Sequence, residues 1–225
     1  MCFSASADFT GSVVLGAVGV ATLREVKDRR ELLLAAMPCL FAIHEFIEGF
    51  VWMGLDGTMS QQVAHNAGAA FVLYAQGILP FLLPLSVFLI EPTKRQRSRM
   101  LAFVILGGLL SLYLAWGLIA YPLTISDQSH SVVYVNVITN TTLVAVLYVI
   151  ATCGSLFFSG YGPLVELGWV NLAGLLVVMM VKRYAFTSVW CAYAAVVSVI
   201  IYFFFRRTRV IRGGYVFLSQ GSASH

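Results

Sequence analysis

A histidine and two carboxylates crowd the segment HEFIEGFVW: His44, Glu45 and Glu48. His44 and Glu48 are four apart, so on a helix they share one face about a turn apart. Glu45 points roughly 100° away from His44, where it either serves a neighbouring interface or joins the same cavity. Gly49 follows Glu48 and would admit a close helix neighbour. Imidazole and carboxylate converging in a low-dielectric pocket can hold a transition metal or zinc. The pattern is not the zincin one, because HEFIE carries Glu where HExxH requires its second His.

Other polar groups could reach the same region. His65 and Asn66 open the next apolar stretch, and Gln76 lies deeper on roughly the His65 face. Asn136 and Asn140 share a face near the start of a later stretch, and Tyr121 ends the one before it. Cys2 would add a thiol, and an amine if Met1 is removed. Three readings of this constellation stand side by side: a metal or small-ligand site, a proton or substrate relay, and a His–Glu pair that only hydrogen-bonds to the next helix. Glu166 fits a helix N-terminal carboxylate favoured by the dipole, not a member of the cluster. The NTT at Asn140 falls within or beside an apolar stretch and is discounted as a glycosylation site.

The elements that must position these residues are apolar helices. Of 225 residues, 60% are hydrophobic and 11% charged, against roughly 25% charged in a soluble domain. Seven stretches, about 9–23, 31–55, 62–90, 99–121, 133–157, 163–181 and 184–205, are nearly charge-free, and each crossing needs roughly 20 residues. The first reaches that length only if residues 5–8 are included. The third contains Pro80 and Pro84, which predict a kink, read either as packing or as an opened, ion-binding carbonyl.

The basic residues orient the chain. Arg24, Lys27, Arg29 and Arg30 precede the second stretch; Lys94, Arg95, Arg97 and Arg99 precede the fourth; Arg206, Arg207, Arg209 and Arg212 follow the seventh. With seven spans and the N-terminus outside, these twelve of the 14 Lys and Arg are cytoplasmic, and only Lys182 and Arg183 lie outside. The expected fold is therefore all-α: a polytopic transmembrane bundle of seven helices, N-terminus outside and C-terminus cytoplasmic. A single domain spans 1–212, with a short tail at 213–225. The expected setting is a bacterial cytoplasmic (inner) membrane, with the lipid bilayer as partner and no nucleic acid, because the basic residues sit at helix ends. A small ligand or ion and a homo-oligomer are both compatible with the sequence. No cleavable signal peptide is read at the N-terminus. Three of the four cysteines fall in apolar stretches and no CxxC pair exists, which excludes a zinc ribbon by spacing.

The opening MCFSASADF, with Cys2, Phe3, Ser4, Ala5, Ala7 and Phe9, then Ile47, Glu48 and Gly49 in the second stretch, resembles an uncharacterised family of bacterial membrane proteins. Its members begin M-C-F-S-A-x-A-x-F and carry an apolar-Glu-Gly motif. Gln can stand in that family where His44 stands here, so the resemblance implies that Glu48 and the N-terminal segment carry the site. It brings no activity with it. Seven spans with an outside N-terminus also match receptors and ceramidase-like hydrolases, but the hydrolase pattern needs late histidines that the seventh stretch lacks. The leading expectation is an outward-facing polar site on the second span that binds a metal ion or small polar ligand. The alternatives are a proton-coupled small-molecule transporter and a non-catalytic membrane subunit or assembly factor.

Overall fold

The computed structural model describes the backbone of residues 4–127, 132–139, 141–180 and 186–211, and their side chains except at 175–192 and 208–211. The expected tail at 213–225 lies outside the described residues. Helices α1 (Ala5–Leu23), α2 (Leu32–Leu55), α3 (Gln61–Val72), α4 (Leu79–Ile90), α5 (Lys94–Ala120), α6 (Thr142–Phe157), α7 (Gly162–Met180) and α8 (Phe186–Ile211) form the body. A π-helical turn, Leu73–Ile78, joins α3 to α4 without a break, so seven helical rods are present among the described residues.

Among the described residues, four rods, Ala5–Leu23, Arg29–Leu55, Gln61–Ile90 and Lys94–Ala120, are long and apolar enough to cross a membrane. Their outward faces are unusually apolar. On α5 alone, Leu101, Ile105, Leu109, Leu112, Trp116 and Ile119 are exposed, Leu112 by 71% and Ile119 by 88%. A contiguous apolar face of this kind marks an interaction surface, membrane included.

The core gathers around α2, which packs against α1, α3, α4 and α8. Ser4 starts α1 from an extended conformation, its hydroxyl accepting from the Ala7 N–H at 3.3 Å. Asp28 and Glu31 form a capping box on the short turn Arg29–Glu31 that leads into α2. Close glycine contacts set the helix spacing. A Cβ on Gly19 would lie 2.8 Å from the Cys39 backbone nitrogen. One on Gly107 would lie 2.0 Å from the Pro80 carbonyl oxygen.

The two prolines of α4 are explained by that packing. Pro84 removes the N–H that would otherwise bond the Pro80 carbonyl, and the freed carbonyl is pressed against Gly107 of α5. One turn earlier, the π-helical stretch offers the Ala75 carbonyl to the Tyr148 hydroxyl of α6 at 2.9 Å.

The structure corrects the fifth expected stretch. Residues 133–141 are not helical where described. Thr124–Asp127 (β1) and Val132–Val135 (β2) pair as an antiparallel hairpin, with Ile125 opposite Tyr134. The run Val-Val-Tyr-Val is β-branched and aromatic, which suits a pleated strand. Asn136 then ties the turn together. Its amide donates towards the carbonyls of Gly117, Tyr121 and Pro122 at 3.2–3.4 Å, and its carbonyl oxygen accepts from the N–H groups of Ile138 and Thr139. Helix α6 starts only at Thr142, after the Thr141 hydroxyl cap. Its 16 residues rise about 24 Å, short of a full hydrocarbon crossing of about 30 Å. Asn136→Ala should cost about 2 kcal/mol by leaving several buried backbone groups without this partner. A thermal melt in detergent would show it, and a melt equal to wild type would contradict the turn-lock assignment.

Candidate carboxylate site between α1 and α2

The site begins with the way α1 lies on α2. Gly49 carries no side chain because the Phe9 ring occupies that space: a Cβ there would sit 2.7 Å from it. Phe9 is wedged edge-on between Phe46 and Phe50, with ring centroids 5.3 and 5.5 Å away. This wedge fixes the rotation of α1 and turns Asp8, the preceding residue, into the interface. Asp8 sits in the first turn of α1, where the helix dipole favours a negative charge.

Asp8 meets Glu45 and Glu48 there. One carboxylate oxygen from each lies within 4.8 Å of the other two, and all three residues are buried. Both oxygens of Asp8 are buried without a hydrogen-bond partner among the described residues. Gly11, one turn along α1, leaves Glu45 uncrowded: a Cβ there would stand 3.7 Å from Glu45 Oε2.

At about 100° per residue, Glu48 lies between the directions of His44 and Glu45 on α2. It therefore meets groups on both sides. Towards α1 it joins Asp8 and Glu45. Towards the hairpin its carboxylate neighbours the Tyr134 hydroxyl. Tyr134 is held by stacking on Phe71 (centroids 4.8 Å, 17° between planes). The hairpin is seated on α3 at Gly68, where a Cβ would lie 2.2 Å from Ile125 Cδ1. Trp52, Val51 and Val132 cluster beside Ala5 and Tyr134, so the hairpin covers this end of the α1–α2 interface.

His44 takes another course. Its ring stacks on Phe71 at 3.8 Å and lies 4.9 Å from the Tyr74 ring. It is 1% exposed, and neither ring nitrogen has a hydrogen-bond partner among the described residues. Imidazole nitrogen does not enter the three-oxygen group. His44 thus faces Phe71 and Tyr74, while Glu48 and Glu45 face Asp8.

The remaining expectations divide. His65 is exposed on α3. Gln76 belongs to the π-helical stretch, its Oε1 buried without a partner among the described residues. Asn136 locks the hairpin turn, and Tyr121 is an exposed residue edge-on to Trp116 at 5.8 Å. Cys2 and Asn140 lie outside the described residues. Asp8 and Tyr134 are the residues that sequence reasoning missed. Asp8 carried a signal, a lone carboxylate at the head of an apolar helix. Tyr134 carried none, because its segment read as helix.

Fold and site together define a helical bundle, four of its rods long and apolar enough to cross a membrane, with three buried carboxylates joining its first two helices. The chain belongs to a protein family of unknown function, DUF6629, whose model matches residues 1–213. No curated protein and no solved structure matches the chain.

Proposed function

We propose that this is a multi-span membrane protein that binds a hard divalent cation between α1 and α2, through Asp8, Glu45 and Glu48. The observation that carries the reading is the convergence of three buried carboxylates within 4.8 Å. Ionisable residues inside apolar spans are costly, and their usual purpose is functional. Two unit charges 4 Å apart repel by about 4 kcal/mol at an effective dielectric of 20, so the three carboxylates cannot all stay ionised side by side unless positive charge offsets them. A cation turns that repulsion into cohesion.

The donor set narrows the ion. Carboxylate oxygens suit Ca²⁺, Mg²⁺ or Mn²⁺ rather than zinc or copper. Oxygens on opposite sides of Ca²⁺ are about 5 Å apart, and on opposite sides of Mg²⁺ about 4 Å. Oxygens within 4.8 Å of one another can share a single Ca²⁺ ion, with backbone carbonyls or water completing the shell.

The positive-inside bias supports an orientation with the N-terminus, the hairpin and the carboxylates towards the outer face and the basic turns in the cytoplasm. A site so placed serves a sensor or a carrier taking its ion from outside. The test is metal analysis of protein purified in mild detergent, without chelator or metal-affinity tag, beside Glu48→Gln. Near-stoichiometric Ca²⁺ or Mn²⁺ that falls at least tenfold in the variant is expected. Metal-free protein that also fails to take up Ca²⁺ would contradict the reading and leave the cluster as a proton-binding group, the premise of a proton-coupled transporter.

A further inference from the structure

The end of the bundle opposite the carboxylates carries a cluster of basic residues. Helix α5 opens KRQRSR; its flanking residue Thr93 makes no side-chain cap, and no acid lies in its first turn. Cations there face the positive end of the helix dipole and four unpaired N–H groups, an arrangement that attracts an anion. Lys94, Arg95 and Arg99 are exposed. The Arg97 guanidinium lies 5.0 Å above the Phe88 ring, and its Nε is buried without a hydrogen-bond partner among the described residues.

Two neighbouring acids accept hydrogen bonds from backbone N–H groups. Glu91 Oε2 accepts from the Gly160 N–H at 2.9 Å. Glu31 Oε2 accepts from the N–H groups of Lys27 and Asp28 at 3.0 and 3.3 Å. The turn bearing Arg29 and Arg30 packs against α4, and Tyr161 meets Phe204 of α8 edge-on at 5.8 Å. These contacts gather the basic segments at one end.

A second feature specifies what binds. Arg97, Leu101, Ile105 and Leu109 follow one another at four-residue spacing, so the basic turn runs directly into the apolar row of α5. Leu101, Ile105 and Leu109 are exposed by 45%, 54% and 64%. A negative head above an apolar tail matches that surface, whereas a free anion would leave the apolar row uncovered.

We propose that the start of α5 binds an anionic phospholipid, its phosphodiester among Lys94, Arg95 and Arg97 and an acyl chain along Leu101, Ile105 and Leu109. The inference rests on the membrane placement proposed above but not on the cation. Juxtamembrane basic residues each add about a tenfold-or-less preference for anionic lipid.

The test is native mass spectrometry of the full chain released from nanodiscs of equal phosphatidylcholine and phosphatidylglycerol. Wild type should retain phosphatidylglycerol by about tenfold over phosphatidylcholine. Combined Lys94→Gln, Arg95→Gln and Arg97→Gln should bring the two lipids to parity. Arg95→Gln alone, at an exposed position that does not threaten folding, should lower the preference in part, and Arg206→Gln with Arg207→Gln should leave it. Parity in wild type, or an undiminished preference in both α5 variants, would overturn the lipid site. Displacement by millimolar inorganic phosphate would overturn it too, in favour of a free-anion site. Failure of the chain to enter nanodiscs at all would instead overturn the membrane placement.

Discussion

Asp8→Asn should raise the thermal stability of the cation-free protein and abolish its stabilisation by Ca²⁺. Asp8, Glu45 and Glu48 bring three carboxyl groups within 4.8 Å in a buried interface, so without a cation they must either repel or take up protons, and removing one eases that cost. The same change removes one of three anionic ligands and should weaken Ca²⁺ at least 100-fold. At 100 times the dissociation constant, a ligand stabilises the folded state by about 2.7 kcal/mol. Wild type should therefore gain several degrees in its melt with Ca²⁺, and the variant should gain none. A structural hydrogen-bond cluster predicts the opposite pattern: a variant less stable than wild type, and no Ca²⁺ response in either. Melts with and without Ca²⁺, in detergent and after chelation, separate the two.

Gly107→Ala should destabilise the bundle severely. A Cβ at that position would come 2.0 Å from the Pro80 carbonyl oxygen and 2.9 Å from its carbon. These are backbone atoms of a neighbouring helix, so the contact is relieved only by moving α4 away from α5. Overpacking costs typically 1–3 kcal/mol and more where nothing yields. The expected loss is about 3 kcal/mol, or roughly 6–12 °C in the melt for a chain of this size. Gly108→Ala is the matched control. Its Cβ would meet only the Phe81 ring, at 3.4 Å, and the change should be close to neutral. Equal tolerance of both would contradict the close packing of α4 on α5.

Much of this architecture is written in the hydropathy of the chain. The turns near residues 24–31 and 91–93 separate rods where charge interrupts apolar runs, and the second and third stretches match α2 and α3–α4 closely. The fifth does not, because Val132–Val135 is apolar in either state. Helix and strand differ there by pairing with Thr124–Asp127, a partner that periodicity within one stretch does not reveal. The prolines show the same limit. Pro80 and Pro84 announce a lost donor, but the glycine of α5 that receives the freed carbonyl is distant in sequence.

The site was legible in its anchor and not in its partners. Glu48 and Glu45 stand out as carboxylates in an apolar helix, and both are in the cluster. His44 stands out equally, yet rotation about α2 turns its ring onto Phe71 and Tyr74. Which side α1 occupies is set by Phe9 filling the space over Gly49, a contact between helices that no single-helix pattern contains. The motif residues Ser4, Phe9 and Gly49 start α1 and seat it on α2, and Asp8, carried between them, supplies the third carboxylate.

The most direct test of the cation site is a calorimetric titration of chelator-treated wild-type protein with Ca²⁺, run beside Glu48→Gln. The account predicts saturable binding of about one ion per chain, weaker binding of Mg²⁺, and no measurable heat in Glu48→Gln. Absence of binding in wild type, or binding that survives in Glu48→Gln, would contradict it.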